Sequence, residues 1–386
     1  MPELSREAQI LLHSARPIFD ETARAALENT LAAATDWRRL IGLAKRHGLI
    51  PLLYRRLKDL GPTVVPPQVL SEINLLAHEE ASFALLLTGE LRALLELLTA
   101  RGIPALPYKG PALSVQLYGK PTLRHFNDLD VLIRPADLLR AQNALQAHGW
   151  KTETLFQGAR QRLFERHYDS YPYYRANILL ELHWSLVERR FAFPLTVEEL
   201  LERARPLTLS GREILAPAPE DTLLMLCFHG AKHLWERFAW LCDVAQLLAT
   251  QPALDWDITL QRARRLGCER VLWLSLSLAR EYLAAPLPAA VTRHIEADTT
   301  ARALAAQVAS HWFLPAAYNA DNLTRAQFHL QMRERWRERA LYRQRFYFRI
   351  TPDDWALLPF ALPRPLLFLY APLRWARMLG KYVLPD

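Results

Sequence analysis

Strand-type hydrophobic runs occur in only one part of this chain, between Ile103 and Leu186, and helical patterns flank that part on both sides. A long pattern with helical spacing runs from Pro66 and Pro67 to about Arg101, and Gly102 stands where a C-terminal cap belongs. The period then changes. "IPALPYKG" (103–110) reads as a short buried strand ending in a Lys-Gly turn, and "PALSVQLYG" (111–119) as a two-turn helix with proline at its first position. "NDLDVLI" is a strand and "RPADLLRAQNALQAHG" an amphipathic helix. "WKTET", "HYDSYPYYRA" and "NILLELHWSL" read as three more strands. From about Pro217 the pattern is helical again, to about residue 345. The expectation is an α+β chain, with an α/β sandwich set into helical segments. The boundaries are a helical region 1–85, a core 86–215 and a helical region 216–386.

Within the strand-rich part, "RHFNDLDVLI" opens an apolar run with two aspartates. Residues i and i+2 of a strand share a face, roughly 6.5–7 Å apart. Asp128 and Asp130 therefore aim together, and Leu129, Val131 and Ile133 face the other way. Two converging carboxylates repel each other unless a cation lies between them, and oxygen ligands suit Mg²⁺ or Mn²⁺. Glu181 is the sole acid in the apolar run "NILLELHWSL" and would supply a third oxygen if its strand lies alongside. A second Asp-x-Asp, at Asp255 and Asp257, opens a helix, where capping accounts for it. Carboxylates around a divalent ion are what phosphoryl or nucleotidyl transfer requires. Lys109 can place a charge on a phosphate, and Gly110 permits close backbone approach to the helix start.

Further candidates lie in the flanks. Arg124 either pairs with a carboxylate or holds a phosphate. His183 shares a strand face with Glu181 and either orients an acceptor or is a satisfied core histidine. His229 and His233, four apart with Lys232 between them, either line the site or pack against the sheet; the H-E-x-x-H glutamate of zinc hydrolases is missing. Asp243 is too far along a helix to meet His233 and is expected to pair with an arginine.

The formal charge of +8 suits an anionic partner. Neither a Walker P-loop nor a G-x-G-x-x-G turn is present. The three cysteines form no C-x-x-C, which disfavours a disulfide scaffold or zinc ribbon and points to a reducing, cytoplasmic setting. "MPELSREAQI" is too polar for a signal peptide. "WALLPFALPRPLLFLYAP" (355–372) carries four prolines and Arg364, which argues against a spanning helix. The aromatic, basic tail from "RFYFRI" to "RWARMLGKYVLP" is the candidate for peripheral membrane contact.

The stretch "LPYKGPALSVQLYGKPTLRHFNDLDVLI" resembles the signature of the uncharacterised nucleotidyltransferase family, a branch of the polymerase-β-like nucleotidyltransferases. The matching features are Lys109-Gly110, Leu117-Tyr118, Pro121, Arg124 and the Asp128-Leu129-Asp130 strand head. Two downstream segments resemble the family as well: Glu181, His183 and Trp184, and then His229, Lys232, His233 and Asp243. The resemblance implies a polymerase-β-like core with a mixed sheet. It implies Mg²⁺- or Mn²⁺-dependent transfer of a nucleoside monophosphate, AMP first among them, from an NTP such as ATP, with release of pyrophosphate. Asp128, Asp130 and Glu181 would then be metal ligands, with Glu181 activating the acceptor hydroxyl. Lys109, Gly110, Arg124, His183, His229, Lys232 and His233 would line the nucleotide and acceptor site. The superfamily's Gly-Ser turn is replaced here by Lys-Gly-Pro. Small molecules and peptide or protein side chains rank ahead of RNA as acceptors, because no RNA-binding motif appears. The alternative is an inactive scaffold or membrane-peripheral protein that keeps the fold.

Overall fold

A computed structural model describes residues 4–153, 158–314, 320–347, 354, 362, 366 and 369–383. Five helices come first: α1 (Arg6–Ser14), α2 (Glu21–Leu31), α3 (Trp37–His47), α4 (Ile50–Leu60) and the 33-residue α5 (Pro67–Thr99). Aspartates cap α2 and α3, each accepting the backbone amide three residues on. The sheet region follows, as β1 (Ala105–Pro107), α6 (Gly110–Tyr118), β2 (Asp128–Ile133), α7 (Leu138–Ala147), α8 (Gly158–His167), β3 (Ser170–Arg175) and β4 (Ile178–His183). After it come α9 (Val197–Arg203) and a hairpin, β5 (Arg205–Leu209) and β6 (Arg212–Ala216). The helices α10 (Pro219–Lys232), α11 (Phe238–Thr250), α12 (Trp256–Leu266), α13 (Glu269–Leu283), α14 (Ala289–Ala297), α15 (Thr299–Ala309), α16 (Asn322–Gln331) and α17 (Trp336–Tyr347) complete the body. A last described helix spans Tyr370–Val383. Asp255 caps α12 through a 2.9 Å bond from the Ile258 amide, so the second Asp-x-Asp is a capping device.

The fold is α+β, with a mixed sheet embedded in helices. Strand order is β1-β2-β4-β3; β2 and β4 run parallel, and the two outer pairings are antiparallel. One sheet face carries Leu129, Val131, Ile133, Leu180 and Leu182 into a core shared with the second half of α5 and with α7. On the other face, Leu132 joins a larger core built from α1–α4, the first half of α5, and α10–α17. The long helix α5 therefore serves both cores, with Ile73 and Ala77 in one and Leu87, Leu91 and Leu98 in the other.

Three features depart from the expected elements. Among the described residues of "WKTET", Lys151 alone forms a strand bridge, to Tyr174, and the next described element is α8. The helix α8 was not expected from the pattern. The β5–β6 hairpin was also missed, although its turn, Ser210-Gly211 with φ of +48° and +79°, has the primed-turn geometry of two-residue hairpins. Most of 355–372 lies outside the described residues, and no described helix is long and apolar enough to cross a membrane.

Candidate active site

The parallel pairing of β2 and β4 decides the site. Its register sets Asp130 directly opposite Glu181 and Leu132 opposite His183. Strand alternation puts Asp128, Asp130, Glu181 and His183 on the face turned away from the sheet's own core. That face borders a cavity of 430 Å³ between the sheet and α10–α11. Lys109, Gly110, Arg124, Asp128, Asp130, Glu181, His183, His229, Lys232 and His233 all line it. The fold thus brings the ten candidates from four separate stretches of sequence into one cleft.

Asp130 lies at the centre. Its Oδ1 accepts from Lys109 Nζ at 2.9 Å and Tyr108 OH at 3.4 Å, and meets His183 Nε2 at 3.1 Å. His183 Nε2 also lies 3.3 Å from Glu181 Oε2. One ligand atom each from Asp130, Glu181 and His183 falls within 4.8 Å of the others. Among the described residues this is the one cluster of three or more such groups. It holds His183 where Asp128 had been expected. Asp130 and Glu181 meet as a direct cross-strand pair, and the longer imidazole side chain of His183, two residues further along β4, reaches back to both carboxylates.

The charges are strongly coupled. Burial would raise the Asp130 carboxyl, but Lys109 and His183 outweigh it and hold the group well below the usual range. Burial would likewise lower His183, but its bonds to Asp130 and Glu181 raise it to about 9. Burial, followed by the charge of Asp130, pushes Asp128 up to about 6. The donor set suits a divalent cation: the Asp130 and Glu181 carboxylates at ligand spacing, the Asp128 carboxylate beside them, and an imidazole that would ligate on losing its proton.

The Lys-Gly turn is locked to the aspartate strand. Gly110 has φ +55°, and a Cβ there would lie 3.1 Å from the backbone oxygen of Asp128. Only glycine permits this approach without strain. The turn leads into α6, whose N-terminus has no side-chain cap, and Lys109 and Gly110 at that end line the cavity.

Arg124 has a carboxylate partner. Its Nε donates to Asp243 Oδ2 at 2.8 Å, and Tyr118 OH donates to Asp243 Oδ1 at 3.1 Å. This is the arginine partner expected for Asp243, and it ties the strand approach to α11. On the helical wall, His229, His233 and Trp240 form a cluster of rings with centroids 4.8 to 5.4 Å apart. Burial depresses both histidines, His233 to about 3, so both imidazoles are neutral. They pack on Trp240, and no third ligand-type residue converges with them among the described residues. Lys232 Nζ lies 3.9 Å from Asp169.

Tyr108, Asp169, Arg237 and Trp240 also line the cavity and were not singled out from the sequence. Tyr108 had a signal, since it adjoins Lys109. The other three are ordinary residues until the tertiary structure places them.

A model of the uncharacterised nucleotidyltransferase family matches residues 33–284, well over half of the chain. The chain belongs to that family. Its enzyme class is therefore nucleotidyltransferase. Two solved structures of the antibiotic-resistance factor ANT(2'')-Ia are similar. The solution structure has 12% identity and a TM-score of 0.29, with 58% of this chain and 96% of that one covered. The crystal structure in complex with adenylyl-2''-tobramycin has 12% identity and a TM-score of 0.27, covering 49% and 95%. No curated protein matches the chain. The family match extends beyond the quoted motifs into α13, so it takes in both the carboxylate sheet and the α10–α11 wall.

Proposed function

We propose that this nucleotidyltransferase moves a nucleoside monophosphate, AMP first among them, from an NTP to a hydroxyl-bearing acceptor and releases pyrophosphate. The supporting observation is the placing of Asp130 opposite Glu181, with Lys109, Gly110 and the start of α6 in the same cavity. Asp128, Asp130 and Glu181, with His183 beside them, would hold Mg²⁺ or Mn²⁺. Such an ion, when bound, neutralises triphosphate charge and stabilises the leaving oxygen.

The chain's own residues divide the remaining work. Lys109 supplies positive charge to phosphate oxygens, and the uncapped amides of α6 add donors in the absence of a Gly-Ser turn. Arg124, held by Asp243, adds to the positive field at the cavity edge. Glu181, whose side chain is 35% exposed against 2% for Asp130, reaches the acceptor and takes its hydroxyl proton. The new oxygen–phosphorus bond forms as the bond to pyrophosphate breaks. Neutral His229 and His233 with Trp240 form the opposite wall, which seats the base or acceptor and excludes water. In this reading residues 86–215 form the catalytic core, 1–85 buttress it, and 216–386 carry the acceptor wall. A small molecule or a peptide or protein side chain ranks above RNA as acceptor. Three buried free cysteines support a reducing, cytoplasmic compartment.

Calorimetry with the four NTPs in Mg²⁺ tests the reading, on the wild type, Asp130→Asn and Glu181→Gln. One NTP is expected to bind the wild type, with the Mg²⁺ dependence lost in Asp130→Asn. Binding of none of the four would overturn the transfer reading.

A further inference from the structure

A second cleft, of 640 Å³, lies on the far side of the chain that leaves β4. It shares Val187 and Phe193 with the carboxylate cavity, so the two hollows are separated there by one layer of side chains. Its size falls within the roughly 300–1,000 Å³ common for small-molecule sites.

The cleft is cationic. Arg166, Arg189, Arg265, Arg335 and Arg345 line it, against Glu165, Glu188 and Glu338. The acids have partners already. Glu165 accepts from Gln161 at 2.9 Å, Glu188 meets Arg190 at 3.0 Å, and Glu338 meets Arg335 at 3.4 Å. Arg265 pairs with Glu199, outside the cleft. That leaves Arg166, Arg189 and Arg345, with which no carboxylate pairs among the described residues. Arg345 donates to the backbone oxygen of Arg189, which brings two of the three together. Burial and the Arg189 charge lower the pKa of Arg345, as expected for neighbouring cations without a counter-ion. Guanidinium forks match phosphate oxygens in geometry and charge.

We propose that this cleft binds the phosphate group of a small phosphorylated acceptor, whose hydroxyl end reaches past Val187 and Phe193 toward the carboxylates. The assignment of that molecule as acceptor rests on the transfer reading above; the phosphate site itself does not.

Glycerol 3-phosphate and glycerol are suitable probes, measured by calorimetry on the full chain. Glycerol 3-phosphate is expected to bind and glycerol is not. Combining Arg166→Ala, Arg189→Ala and Arg345→Ala is expected to weaken binding about tenfold or more, while Lys109→Ala leaves it unchanged. Absence of binding, binding that survives the triple variant, or binding lost in Lys109→Ala would each overturn the proposal. If the triple variant does not fold, Arg166→Gln serves instead, because this side chain is exposed and has no hydrogen-bond or ion-pair partner among the described residues. It is expected to weaken binding with an unchanged unfolding midpoint. NTP binding measured in parallel separates the two ideas. A wild type that binds no NTP, yet binds glycerol 3-phosphate through the three arginines, defeats the transfer reading and supports the cleft.

Discussion

Gly110 and His47 show how single residues hold the site from two sides. At Gly110 a Cβ would press on the Asp128 backbone oxygen, and φ +55° disfavours any L side chain. Gly110→Ala is expected to cost about 1–3 kcal/mol and to weaken NTP binding, because relief requires moving the head of β2. Urea unfolding and calorimetry would show it; full retention of both would mean the turn is not locked to the strand. His47 is buried at the end of α3, its Nε2 2.8 Å from the Trp312 oxygen and its Nδ1 accepting from the Phe238 amide at 3.3 Å. Burial holds its pKa at about 4, below an ordinary imidazole's 6.5. The folded state therefore resists the proton that the unfolded chain accepts. The stabilisation is complete above pH 6.5 and is lost as pH falls from 6.5 toward 4, at up to about 1.4 kcal/mol per pH unit. The urea midpoint of the wild type should fall more between pH 7 and pH 5 than that of His47→Gln. Equal slopes would rule out His47 as the source.

At the level of elements, the turn between α10 and α11 sets the helical wall. Leu234 and Trp235 both have φ +53°, an unusual pair for residues other than glycine. Two contacts hold them there. Trp312 Nε1 donates to the Trp235 backbone oxygen at 2.6 Å, and the Trp235 ring packs against Gly230. A Cβ on Gly230 would lie 2.5 Å from ring atoms. Gly230→Ala is expected to cost about 1–3 kcal/mol by overpacking, and to shift His233 and Trp240. A lower urea midpoint with weakened ligand binding is the expected pair of results. An unchanged midpoint would show that the ring has room to move. The register of β2 against β4 matters in the same way, since a slip of one residue would turn Glu181 away from Asp130.

For the molecule as a whole, the two flanking helical regions are one body. Ile10, Leu11, Leu27, Leu40, Ile50, Leu53 and Leu57 are fully buried in the core that also holds α10–α17. At about 1.5–3 kcal/mol for each buried side chain, their combined contribution rivals the roughly 5–15 kcal/mol net stability of a domain. Removing residues 1–65 is therefore expected to abolish cooperative unfolding of the C-terminal helices as well. Calorimetric scanning checks this. A cooperative transition in the shortened chain would show that α10–α17 stand alone.

Local pattern accounts for much of this protein. The aspartate pair at the head of β2, the lone acid in β4, the Lys-Gly turn and the long α5 were all legible, because alternation and helical period are properties of neighbouring residues. So was the family resemblance, which rests on short quoted stretches. Several features were not legible. The parallel register that sets Asp130 against Glu181, the place of His183 in that cluster, and the Arg124–Asp243 pair join residues 51, 53 and 119 positions apart. The sharing of one core by both chain flanks, and the arginines of the second cleft that pair with no carboxylate among the described residues, are further cases. Such relations depend on how distant surfaces pack, and burial and pairing set both the charge states and the room available. Only the tertiary structure decided them.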